Sequence, residues 1–123
     1  MRFSNGCWLN KTGVQTFSPQ EVYSTKVEDN ILTLYTPCNK IYNRGCTLGG
    51  PAITYKISSP MENVIRVRAY HYMGEEVKAP NYELNENNNT KVIINEDDKE
   101  VVFQSGNTKM VFDKEKVEMA FYR

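Results

Sequence analysis

The chain has 123 residues, 15 Lys plus Arg against 15 Asp plus Glu, and a hydrophobic fraction of 40%. That length fits one domain with one core, here residues 1–123. Balanced, interspersed charge leaves no basic footprint for nucleic acid or an anionic membrane, and no apolar run approaches the roughly 18 residues that span a bilayer.

In chain order, residues 1–6 contain no apolar core of the signal-peptide type. Cys7, Cys38 and Cys46 are odd in number and lack CxxC spacing, which points to reduced thiols and a cytoplasmic location. Trp8 lies between Gly6 and Gly13 in a stretch with little strand character. It reads two ways: an anchor of the N-terminal segment to the core, or a flat apolar platform for a sugar beside Asn5 and Asn10. It is the candidate substrate-binding residue.

Ser18-Pro19-Gln20-Glu21 resembles a helix start, but Val22 to Val27 is β-prone and alternates, so a strand is predicted there. Ile31-Leu32-Thr33-Leu34-Tyr35 is predicted as a strand ending before Pro37. In the predicted strand over 53–57, Ile53, Tyr55 and Ile57 share a face. In the longest, over 64–72, Ile65, Val67, Ala69 and, by parity, His71 share one face, with Arg66, Arg68, Tyr70 and Tyr72 on the other. A long irregular stretch over 73–89 carries Gly74, Pro80 and an asparagine-rich tip, and reads as a mobile or functional loop.

The last third reads as a meander of about four strands. Residues 91–94 and 100–104 flank an acidic turn, and Gly106-Asn107 is a tight-hairpin signal. The polar turn Asp113-Lys114-Glu115-Lys116 precedes a final strand with Val117, Met119 and Phe121 on one face. No turn or cap follows that strand, so the chain is expected to be a piece of something longer. Many short strands punctuated by turns predict an all-β sandwich or barrel.

Catalytic candidates are sparse. His71 is the lone histidine and has no nucleophile motif beside it, so a hydrogen-bonded structural role is expected. The carboxylates fall in turns and on polar faces, where they serve solubility. No metal site follows from the cysteine spacing, and Gly49-Gly50 before Pro51 is a turn, not a phosphate cradle. The aromatic content, with eight Tyr, five Phe and one Trp, is the one compositional hint of binding.

The order of several segments is nonetheless familiar. Met1-Arg2-Phe3-Ser4-Asn5-Gly6-Cys7-Trp8-Leu9 and Ser18-Pro19-Gln20-Glu21-Val22-Tyr23 are followed by Ser58-Ser59-Pro60-Met61-Glu62-Asn63-Val64-Ile65-Arg66-Val67-Arg68. His71-Tyr72-Met73-Gly74, Tyr82-Glu83-Leu84-Asn85 and Phe103-Gln104-Ser105-Gly106-Asn107 complete the series. Together they resemble the first part of bacterial α-xylosidases, α-glucosidase-like enzymes of glycoside hydrolase family thirty-one.

The resemblance implies an N-terminal, mainly antiparallel β-sandwich of the galactose mutarotase-like kind. It implies a catalytic (β/α)8 barrel elsewhere in the protein, carrying two aspartates that cleave α-xylosides or α-glucosides with retention. No residue of this chain corresponds to either aspartate, so no catalytic residue is expected here, and no cofactor or metal. The implied partners are the protein's own barrel, its substrate and further copies of itself, with neither nucleic acid nor membrane. Two other readings stay open from the residues alone: a free-standing carbohydrate-binding module, and a generic β-sandwich interaction domain.

Overall fold

The computed structural model describes residues 4–5, 9–71, 82, 85–87 and 89–123. The expected loop over 73–89 therefore falls largely outside the described residues. Near the N-terminus two short strands, β1 (Ser4–Asn5) and β2 (Leu9–Asn10), pair antiparallel, where little strand character was expected.

The next four strands form one antiparallel sheet in the order β3 (Ser24–Glu28), β4 (Ile31–Pro37), β5 (Ala52–Met61), β6 (Val64–Tyr70). Alternation sets its two faces. Leu32, Leu34 and Thr36 are fully buried, whereas Ile31 and Tyr35 on the opposite parity are exposed. The turn between β3 and β4 is Asp29-Asn30, both at positive φ (48° and 63°). That is the type I′ geometry which matches strand twist, and Asp and Asn tolerate it better than most residues.

β5 runs further than its alternating core predicted, through Pro60. Beyond Ser58 it pairs only with β6, and its register there shifts by a bulge between Ser58 and Met61. A proline is tolerated where one side of the ladder is open. β6 ends at Tyr70, so His71 sits in an exposed bend after the strand. The parity that assigned it to the Ile65/Val67 face no longer applies once the strand has ended. The Arg/Tyr face of β6 does point outward: Arg66 donates from Nε to Ser58 Oγ (3.2 Å) and pairs with Glu86, while Lys56 Nζ lies 5.6 Å from the Tyr70 ring centroid.

The second sheet is the expected meander, β7 (Val92–Glu96), β8 (Glu100–Ser105), β9 (Thr108–Asp113) and β10 (Glu118–Tyr122), all antiparallel. Asp97 closes the first turn by accepting from the backbone N–H of Lys99 and Glu100, at 2.7 and 2.8 Å. Asp113 does the same for Glu115 and Lys116 in the last turn. Val117 is part of that turn and not of the final strand, with φ +56°. A β-branched residue is strained there, and its half-buried side chain packs on the core in return.

The sheets meet as a sandwich. Leu32, Leu34 and Ile57 of one face Val101, Phe103, Met110 and Phe112 of the other, and all seven are fully buried. The Tyr55 and Phe112 rings cross between sheets with centroids 6.1 Å apart and planes at 54°, a tilted arrangement favoured by ring quadrupoles. Polar ties join the sheets as well. Ser59 and Ser105 hydroxyls are 2.7 Å apart, and Asn63 Oδ1 accepts from the Asn107 N–H at 2.7 Å. At the other edge, Glu96 accepts from the Thr25 hydroxyl of β3 and from Lys114 Nζ at 2.7 Å.

This last cluster makes stability depend on acid. The Lys114 hydrogen bond, then that of Thr25, hold the Glu96 carboxyl below its ordinary value. A carboxyl lowered by folding stabilises the fold above its unfolded pKa and ceases to do so as pH falls through the folded one. The stability difference between Glu96→Gln and the parent chain in thermal unfolding should thus close only below the lowered folded value, having begun to shrink at the ordinary glutamate value of about 4.3. Above that the variant should be weaker by less than about 1 kcal/mol, since the pair is partly solvated. A constant difference from pH 3 to 7 would contradict the assignment.

Candidate functional site

Trp8, the sequence's candidate sugar contact, lies outside the described residues, as does Cys7. Of the two amides expected beside it, Asn10 donates to Thr16 Oγ1 at 3.3 Å. Cys38 and Cys46 are free thiols. Burial pushes the Cys38 thiol up, which keeps it protonated and a poor nucleophile. Among the described residues no group of three or more His, Cys, Asp or Glu is arranged to hold a metal ion. Among them, too, no helix is long and apolar enough to cross a membrane.

What the fold does assemble is an apolar concavity on the outer face of the first sheet, about 160 Å³ in volume. Its floor is Tyr23, Tyr35, Pro37 and Ala52. Tyr35 points outward because Leu34 and Thr36 on either side point in. Tyr23 reaches the same face through a local irregularity. Its N–H donates to the Tyr35 carbonyl at 2.9 Å although Ser24 already stands opposite Tyr35. Two residues against one is the pattern of a bulge. It sends Val22 toward the core and turns the Tyr23 ring, 62% exposed, outward.

The wall is the loop between β4 and β5, which contributes Asn39, Ile41, Thr47 and Gly50. Its base is closed by Cys38 N–H to the Pro51 carbonyl at 2.9 Å. The Glu21 carboxylate accepts from the Ile41 N–H at 2.7 Å and pins the loop against the segment before β3. Within the loop a short 3-10 helix (Arg44–Leu48) starts at Asn43, whose side chain accepts from the Gly45 N–H, and Asn39 Nδ2 donates to the Cys46 carbonyl at 2.7 Å. Tyr42 and Leu48, on this same loop, are 80% and 91% exposed.

Chemically the concavity is an apolar surface whose lining holds no charged residue, histidine or cysteine. The hydroxyl of Thr47 donates to the Arg44 carbonyl and one amide hydrogen of Asn39 goes to the Cys46 carbonyl, and the remaining surface is mostly ring and methyl. Parity along β4 is enough to find Tyr35. Tyr23 is hidden by the bulge, and Ile41 by a contact with Glu21 twenty residues away in sequence.

No protein-family model matches the chain. Curated proteins do match, two α-xylosidases among them. An α-xylosidase, XylQ, of Lactiplantibacillus pentosus is 34% identical over 110 residues, which cover 89% of this chain and 14% of that protein. An α-xylosidase of Emericella nidulans is 29% identical over 122 residues, covering 98% of this chain and 15% of its own length. The chain thus spans about one-seventh of the relatives it matches, and its resemblance to α-xylosidases extends over nearly all of its own length.

Proposed function

We propose that this chain is the non-catalytic N-terminal β-sandwich of a cytoplasmic, retaining α-xylosidase or closely similar α-glucosidase. Its role is to pack on the catalytic barrel of the same polypeptide and to help shape the substrate pocket or the contacts between subunits of a homo-oligomer. The observation that carries the reading is the match itself, which takes in most of this chain but only 14% and 15% of two α-xylosidases. The all-β fold fits an accessory layer, and the concavity found here offers a surface for contact with no nucleophile or acid–base pair in its lining.

The test is turnover of an α-xyloside. The 123-residue chain should release no product, while the same sequence continued into a full α-xylosidase should. Hydrolysis by the short chain would overturn the non-catalytic role.

A carbohydrate-binding module is the second reading, favoured by the outward Tyr23 and Tyr35 rings sharing one concavity. Titration of the short chain with xylo- and gluco-oligosaccharides, followed by tyrosine and tryptophan fluorescence, separates the two. The accessory-domain reading expects no saturable change.

A further inference from the structure

We propose that the concavity floored by Tyr23, Tyr35 and Ala52 and walled by Ile41 is the seat for an apolar side chain from the rest of the same polypeptide. This rests on the accessory-domain reading and adds to it the face that docks.

The lining selects the occupant. It contains no charged residue, the Thr47 hydroxyl and one Asn39 amide hydrogen are engaged within the loop, and the exposed lining is mostly apolar. A sugar ring needs several convergent polar partners, whereas an apolar side chain needs only shape and exclusion of water. The wall is also pre-formed. The Glu21 to Ile41 bond, the Cys38 to Pro51 bond and the capped 3-10 turn hold the loop before anything arrives, so little ordering cost remains. Two further exposed apolar side chains, Tyr42 and Leu48, project from the same loop and would be costly to leave in water. The source is available: the relatives carry roughly six-sevenths of their length outside the region that this chain matches.

The experiment is hydroxyl-radical footprinting of Tyr23 and Tyr35 in the full-length enzyme and in the 123-residue chain, each with and without Ala52→Arg. Ala52 is exposed on the sheet, so the short chain should keep its circular dichroism and melting temperature with the substitution. The proposal expects both tyrosines to react several-fold more slowly in the full enzyme, and Ala52→Arg to restore the faster rate there. Equal rates in the two proteins overturn it. So does protection in the short chain that grows with concentration, which would make a second copy the occupant. Protection seen only with an added oligosaccharide overturns it as well. Turnover of an α-xyloside by the full protein is scored separately: its absence would sink the accessory-domain reading and the docking face with it, whereas equal footprints with turnover intact would sink the docking face alone.

Discussion

Phe112→Ala should cost the fold about 3–5 kcal/mol, the range for removing a fully buried aromatic side chain. Domains of this size are stable by about 5–15 kcal/mol, so the substitution brings the chain close to unfolding. Phe112 is fully buried, pairs with Val101 on one side and Met119 on the other, and sets its ring against Tyr55 of the opposite sheet. Its loss therefore loosens one sheet internally and parts it from the other. Urea unfolding monitored by intrinsic fluorescence should show a midpoint lower by more than about 1 M, given slopes of about 1–3 kcal/mol per M. Tyr122→Ala, at a half-exposed position of β10, should shift it little. A Phe112→Ala loss as small as that of Tyr122→Ala would mean that the two sheets do not share the core described here.

Much of that core was readable before any coordinates, and for a simple reason. A strand with one buried face must alternate, so Leu32 and Leu34, Tyr55 and Ile57, and Val101 and Phe103 announce both their strands and their inward side. Turns with an obligatory backbone geometry were equally plain. Gly106 takes φ +55° and Asn107 does not take positive φ, which is the primed hairpin that the Gly-Asn pair advertises. Where the pattern misled, a local event had broken the period. Val117 has the right parity for the final strand yet belongs to the turn, because Asp113 draws Glu115 and Lys116 into a cap before the strand can begin. His71 lost its face when β6 ended one residue earlier.

The concavity was harder to foresee because long-range contacts make it. Its tyrosines come from β4 and from the residue just before β3, and its wall from a loop with no apolar period of its own. The loop is shaped by Glu21, which the sequence offered only as the end of the helix-start-like Ser18-Pro19-Gln20-Glu21 and whose carboxylate is instead committed to the Ile41 backbone. Side chains of this kind, neutral in periodicity and decisive in tertiary structure, are invisible to a pattern that looks only at neighbours. The candidate that was visible, Trp8, stood out by its place between Gly6 and Gly13 beside Asn5 and Asn10, and lies outside the described residues.

Gly106→Ala should destabilise the chain by about 2–3 kcal/mol, more than a hairpin glycine ordinarily would. Two costs combine. An L-residue at φ +55° pays about 1–2 kcal/mol in the left-handed region. A Cβ there would also stand 2.4 Å from Asn63 Oδ1 and 3.0 Å from Glu62 Cγ. Asn63 cannot step aside freely, because that same oxygen accepts from the Asn107 N–H and its backbone carbonyl accepts from Thr108 Oγ1 at 3.1 Å. Moving it gives up a hydrogen bond worth about 0.5–1.5 kcal/mol. Gly13 supplies the comparison, since it has φ +84° and nothing within 4 Å of its would-be Cβ. Gly13→Ala should therefore pay the conformational part alone. The decisive measurement is a double-mutant cycle with Asn63→Gly, which keeps positive φ accessible at 63 while deleting the obstructing amide. The two substitutions should be sub-additive by about 1 kcal/mol, because the second removes what the first collides with. Strict additivity would show that the Asn63 side chain does not staple the β8–β9 hairpin to the β5–β6 turn, and the tie at that end would have to be carried by the Ser59–Ser105 bond and by Thr108 Oγ1 to the Asn63 carbonyl.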